Sequence, residues 1–245
     1  MRSRRLEVIF VVAIALGSRC HGASWEDAKI TLNLAGKTCA IVSNSAELLN
    51  HEYGTQIDAS DVVARLNLPP LTPALSKHTG NRTDIVFTGY PLLVGLPGKP
   101  RWARAQGYIP ERTYKGMNDT FAFLVDAYCA QDNAKPKHLK SRWSSQKVCM
   151  KQSKAAVRVC SALKLRCGLG PTEVLDAAWR HATRDHLPGA ISTGFVGYHM
   201  LVSSCRCVRA FGFDTNTGGH YWSPKHRSDK SHNFQPEHEM IKTTC

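Results

Sequence analysis

Five short stretches carry residue types and spacings that could do chemistry. In Cys39-Ala40-Ile41-Val42-Ser43-Asn44-Ser45 an apolar run ends in small polar residues. A strand entering such a turn presents backbone N–H groups and the Asn44 amide, which suit a nucleotide. An ordinary strand-end turn has the same composition. In the stretch from Ile57 to Asn67, alternation puts Arg65 and Asn67 on one strand face. Ser192-Thr193-Gly194 opens an apolar run, where free N–H groups and the helix dipole favour a phosphate. A simple N-cap accounts for Ser192 equally well. His220-Tyr221-Trp222 follows a Gly-Gly turn, and His232 stands five residues before Glu237. An imidazole titrates near neutrality, which suits proton transfer. Taken singly, each stretch fits a structural role better than a catalytic one.

These residues need elements to position them. Thr38 to Ser43, Asp61 to Asn67, Asp84 to Thr88 and Val208 to Phe213 read as strands, apolar and bounded by turn residues. Ser45 to Asn50, Gln146 to Leu165 and Pro171 to His186 read as helical, and Ser192-Thr193-Gly194 opens a further run, Phe195 to Ser204. Pro69 to Gly80 and Tyr90 to Gly116 are rich in Pro and Gly and read as loops. Strands alternating with helices predict an α/β fold with a mainly parallel twisted sheet flanked by helices. Ligands on such sheets sit at the carboxyl ends of strands, near helix N-termini.

Composition sets the class. Of the 245 residues, 42% are hydrophobic and 21% charged, so the chain can bury a core and is neither disordered nor collagenous as a whole. The net charge of +13 suits anionic ligands without choosing among them. Residues 135–168 hold ten Lys or Arg and no Asp or Glu. Trp143 stands alone there, without the interleaved aromatics that single-strand binders use, so no nucleic-acid partner is expected. Arg2, Arg4 and Arg5 precede a short apolar run, Val8 to Gly17, which reads as a secretory signal or signal-anchor. The expected division is a signal segment at 1–22, a short stem at 23–37 and one catalytic domain at 38–245. Nine cysteines fit an oxidising lumen. Cys205-Arg206-Cys207 lacks the spacer of a zinc knuckle, so disulfides rather than zinc are expected. Asn81 and Asn118 head N-glycosylation sequons.

The combination and order of the five stretches resemble the eukaryotic and viral sialyltransferase family (glycosyltransferase family 29). Cys39 through Asn67 is similar to the family's large motif, with Asn44, Leu48, Gly54, Ile57, Asp58, Asp61, Val63, Arg65 and Asn67 in register. Ser192-Thr193-Gly194 through Cys205, Val208 and Phe211-Gly212-Phe213 resembles the small motif. His220-Tyr221-Trp222 resembles the third motif, and His232 with Glu237 the very small motif. The chain departs where the family usually has Gly at Ser43, Pro at Ile191 and an acidic residue at Arg206.

The resemblance implies a Rossmann-like single-domain glycosyltransferase, a GT-A-like variant. It implies inverting transfer of sialic acid from CMP-sialic acid to a hydroxyl of a glycoprotein or glycolipid glycan, the favoured acceptor being a galactoside. Asn44, Asn67, Ser192, Thr193, Gly194 and Gly212 would line the nucleotide site. His220 would donate to the leaving phosphate and His232 would be the general base, with Glu237 and Arg65 in support. A disulfide would join Cys39 to Cys205. There would be no metal and no cofactor beyond the donor: Asp58 and Asp61 are three apart, not an Asp-x-Asp pair. The implied location is the Golgi lumen, as a single-pass type II membrane protein, or secreted after signal cleavage. The alternatives are a transferase using another CMP-activated 2-keto sugar acid, and a catalytically silent lumenal glycan or polyanion binder.

Overall fold

The computed structural model of the chain describes residues 25–67, 69–89, 120–125, 165–171, 191–213, 219–223 and 234–245, with single positions in 173–181. The expected signal segment, the loop at 90–116, most of the basic stretch, Asn118 and His232 lie outside the described residues.

Six strands form one parallel sheet: β1 (Thr38–Val42), β2 (Val62–Leu66), β3 (Ile85–Thr88), β4 (Phe121–Leu124), β5 (Arg166–Leu169) and β6 (Cys207–Phe211). Their spatial order is β5-β4-β3-β2-β1-β6. From β1 the chain steps outward through β2 to β5, then returns to lay β6 on the other side of β1. The reversal lies between β1 and β6, the place where open α/β sheets bind ligands, in the crevice outside the carboxyl ends of the strands. β1 and β2 are apolar at nearly every position because a parallel sheet is covered on both faces.

On one face Cys39, Ile41, Val62, Ala64 and Leu66 pack against α1 (Trp25–Leu32) and α4 (Thr193–Val202). On the other, Ala40, Val42 and Val63 meet Leu48, Ile57 and Tyr221. That second face carries a 3₁₀ turn (Ala46–Asn50) and α2 (Gly54–Asp58). The region 69–80, expected to be loop, holds a 3₁₀ turn (Pro73–Leu75) running into α3 (Ser76–Thr79), which ends at Gly80 with φ 66°. Pro73 at the first turn starts that helix rather than breaking it. The segment expected as a stem contributes to the core: Trp25 and Ala28 of α1 are buried, and the Trp25 ring meets Phe123 edge-on at 5.1 Å. The helix expected at Pro171 to His186 is helical at its described positions between 173 and 181. A last helix, α5 (Phe234–Met240), precedes an extended segment beside β6.

Candidate active site

β1 ends at Val42, and Ser43-Asn44-Ser45 turns away from it. The Ser43 N–H donates to the Phe211 carbonyl (3.0 Å), and the Ser43 hydroxyl donates to the Gly212 carbonyl, so the ends of β1 and β6 are tied together. Gly212 has φ 72°, and a methyl there would sit 2.7 Å from both Ser43 Oγ and Leu48 Cγ. Only glycine fits that approach at that φ. Ser43, where the family usually has Gly, thus occupies a defined bonding position. Its signal in the sequence was only a small polar residue at a strand end. The Asn44 carbonyl accepts from the Tyr221 N–H (3.0 Å), while its buried Oδ1 has no hydrogen-bond partner among the described residues.

Asn67 lies one residue past β2 in the left-handed region, φ 58°. Period-two alternation therefore stops at Leu66, and Asn67 does not share a strand face with Arg65. Asn tolerates this conformation better than most residues. Its N–H donates to the Phe87 carbonyl (2.8 Å) and its Oδ1 accepts from the Gly89 N–H (3.3 Å), so it joins the ends of β2 and β3. Arg65 is wholly buried. Its Nε donates to the Arg82 carbonyl and the Thr83 hydroxyl (2.9 Å each), and its Nη2 to the Thr79 carbonyl (2.7 Å). Burial pushes the guanidinium pKa down, opposed by Tyr221, Asp58 and Asp84. Arg65 cross-links β2 to residues 79–83 and lies in the scaffold beneath the site.

Asp58 and Asp61 are also committed to the backbone. Asp58 accepts from the N–H groups of Asn81 (2.9 Å) and Arg82 (3.0 Å). Asp61 accepts from Thr38 N–H (2.9 Å), and that bond lowers its pKa, with Lys37 and Arg206 adding to the effect. Arg206, where the family often has an acidic residue, donates to the Thr38 hydroxyl at 3.2 Å.

The small-motif stretch starts α4. Ser192 is its N-cap, and its hydroxyl oxygen accepts from Phe195 N–H (3.1 Å). The Ser192 N–H donates to Glu237 Oε1 (2.9 Å), 45 residues along and 2% exposed. This is the bonding of a capping box with its carboxylate supplied by a different helix. The N–H groups of Thr193 and Gly194 are taken by neither of these two side chains, and the positive end of the helix dipole lies at this start. Gly194 is within reach of Leu66 and Phe213, since a methyl there would lie 3.0 and 3.2 Å from them. The helix start therefore stands over the ends of β2 and β6.

His220 is carried by a strap, 219–223, stitched to the end of β1. Ser45 and His220 form an antiparallel bridge, and the Ala46 N–H donates to the Gly219 carbonyl (3.1 Å). The imidazole stacks on Trp222, centroids 4.5 Å apart and planes 22° apart, an aromatic partner that the motif reading left without a role. Tyr221 anchors the strap through its hydroxyl, which donates to the Pro70 carbonyl at 3.1 Å.

Asn44, Asn67, Ser192, Thr193, Gly194, Gly212 and His220 thus gather at the carboxyl ends of β1, β2 and β6. The disulfide Cys39–Cys205 (Cα–Cα 6.2 Å) joins the start of β1 to the turn after α4, at the opposite end of both elements. A second disulfide joins Cys207 to Cys245, and Cys167 is also disulfide-bonded.

The family model described as "Glycosyltransferase family 29 (sialyltransferase)" matches residues 23–244. A human protein named alpha-2,8-sialyltransferase 8F is 28% identical over 213 residues, 83% of this chain and 49% of that protein. A rice protein named sialyltransferase-like protein 2 is 26% identical over 239 residues, 91% of this chain and 58% of that protein. A mammalian sialyltransferase crystal structure superposes with a TM-score of 0.49 at 17% identity, covering 91% of this chain and 77% of that one. The chain spans about half the length of the curated relatives it matches.

Proposed function

Because the chain belongs to glycosyltransferase family 29, the sialyltransferase family, we propose that it transfers sialic acid from CMP-sialic acid to a glycan hydroxyl with inversion. The carrying observation is the buried Asn44 Oδ1 at the β1 turn, which has no hydrogen-bond partner among the described residues, at the same carboxyl end of the sheet as the start of α4. A buried polar atom of this kind calls for a partner. A nucleotide hydroxyl or amine would supply one.

The chemistry follows from the groups at hand. The acceptor oxygen attacks the anomeric carbon as the bond to the phosphate oxygen breaks, and CMP leaves. Charge gathering on the phosphate meets the Thr193 and Gly194 N–H groups and the positive end of α4, in the manner of an oxyanion site. His220 donates to the same phosphate, its ring held by Trp222. His232 takes the acceptor proton as general base. Glu237 holds the start of α4 by its bond to Ser192. A monophosphate carries less charge than a diphosphate, so a helix terminus and imidazole suffice without a metal. The expected setting is the Golgi lumen, with the N-terminal segment as a type II anchor, and the acceptor a glycoprotein or glycolipid galactoside.

The second reading is a different CMP-activated 2-keto sugar acid as donor, since the residues proposed for the site bind the nucleotide and do not choose the sugar. One assay decides between them: incubation with each CMP-sugar and an acceptor panel, scored for released CMP and new glycan. CMP-sialic acid is expected to give product, with turnover unchanged by a chelator. Product from another CMP-sugar alone replaces the donor, and chelator-sensitive turnover restored by one divalent ion ends the metal-free reading.

A further inference from the structure

The segment following α5 is fastened to two elements of the site at several points. The Val208 N–H donates to Thr244 Oγ1 (2.9 Å) and the Ala210 N–H to Thr243 Oγ1 (3.2 Å), while the Thr244 N–H donates to the Val208 carbonyl (2.8 Å). The Cys207–Cys245 disulfide closes the same edge. Toward α4, the Tyr198 hydroxyl donates to the Lys242 carbonyl (2.9 Å) and accepts from the Lys242 N–H (3.3 Å). Ile241 is buried in the main core. Six residues before Tyr198, about 9 Å along the helix, Glu237 holds the N–H of Ser192.

Edge strands need covering, and side-chain hydroxyls in place of a neighbouring strand would do that alone. Here the cover does more. α5 and its extension grip α4 at its cap and at its second turn, and β6 along its outer edge. Those are the two elements whose ends form the nucleotide side of the crevice, at Ser192–Gly194 and at Gly212.

We propose that Ile241–Cys245 is a clasp that positions the start of α4 for catalysis, with Tyr198, Thr243, Thr244 and the Cys207–Cys245 disulfide as its positioning residues. Released from β6, the extension loses its hold on α5. Glu237 then withdraws, and the Ser192 N–H loses its partner. The phosphate-facing turn of α4 frays, while the sheet and the Cys39–Cys205 disulfide stay in place. The kinetic consequence rests on the sialyl-transfer reading above; the structural consequence does not.

The test uses the full chain with two double variants, Thr243→Val with Thr244→Val, and Cys207→Ser with Cys245→Ser. Valine keeps the shape of threonine and removes the hydroxyl that accepts from β6. Amide hydrogen exchange over residues 191–195, measured without substrate, is expected to speed up tenfold or more in both. In transfer assays kcat is expected to fall about tenfold while the donor KM moves less than threefold. The pair Thr243→Ser and Thr244→Ser restores both. If the cysteine variant fails to fold, the valine variant decides, since it keeps the disulfide. Wild-type exchange over 191–195 in the valine variant overturns the clasp, and so does a kcat loss that the serine pair fails to rescue. A wild-type chain that protects Ser192 but transfers nothing from CMP-sialic acid ends the functional reading and leaves the clasp standing.

Discussion

His220 and His232 carry different parts of the proposed chemistry, and substitution separates them. His220→Ala removes a donor to the phosphate and should weaken CMP binding about tenfold or more, as for a lost hydrogen bond to a charged group. His232→Ala should leave CMP affinity within threefold and lower kcat by ~10²–10⁴. Calorimetry with CMP beside steady-state kinetics reads both, and near-normal turnover in folded His232→Ala removes the base assignment. A third histidine bears on stability instead. His199 of α4 lies with its Nε2 3.3 Å from Nδ1 of His181, and burial with that neighbour lowers its pKa from 6.5 to about 4. The unfolded chain therefore binds this proton more tightly. The contribution is full above pH 6.5 and is lost as pH falls toward 4, on the order of 1–2 kcal/mol for a partly exposed ring. Denaturation midpoints from pH 7.5 to 4.5 should flatten in His199→Gln; an unchanged slope rejects the assignment. The motif residues were legible at this scale because their types were unusual where they stood. The contacts were not legible: nothing in the sequence says that the carboxylate of Glu237 caps Ser192, 45 residues away.

Among the elements, α4 is fixed to the sheet by close approach. A methyl on Gly197 would lie 2.5 Å from Phe87 Cδ2 and 2.8 Å from its Cγ. Gly197→Ala should cost about 1–3 kcal/mol as an overpacked core, lowering Tm by ~2–4 °C per kcal/mol in a domain of this size. Adding Phe87→Leu should recover part of the loss, and strict additivity in that cycle would show that the two side chains do not collide. β1, β2, β3 and β6 were readable because each is an apolar run closed by turn residues. β4 and β5 were not read as strands, and in β5 Arg166-Cys167-Gly168-Leu169 mixes a charge and a glycine into the run. α1 was hidden because only Trp25 and Ala28 of its eight residues are buried, which leaves little periodic signal.

For the molecule as a whole, the reversal between β1 and β6 decides where chemistry can occur, and the Cys39–Cys205 disulfide secures it from the far end. Replacing both cysteines by serine should lower stability by ~3–5 kcal/mol on the chain-entropy account. CMP affinity should fall less than stability, because the bond lies about ten residues of α4, ~15 Å, from the Ser192–Gly194 start of that helix. Denaturant unfolding alongside CMP titration checks this, and a larger loss of affinity than of stability would place the disulfide's effect at the site itself. The parallel α/β class was legible from alternating strands and helices, but the strand order was not, since pairing partners are set by packing far along the chain. That order also governs how the protein is made. Thr38 pairs with Cys207 and Cys39 bonds Cys205, 166 residues later. At 5–20 residues per second, the Cys39 thiol waits roughly 10–30 s during synthesis before its partner exists. When it comes, Cys205 and Cys207 arrive almost together, and both end beside β1. Only the completed β1–β6 register separates the right sulfur from the wrong one, so maturation depends on disulfide exchange continuing until that last strand has closed.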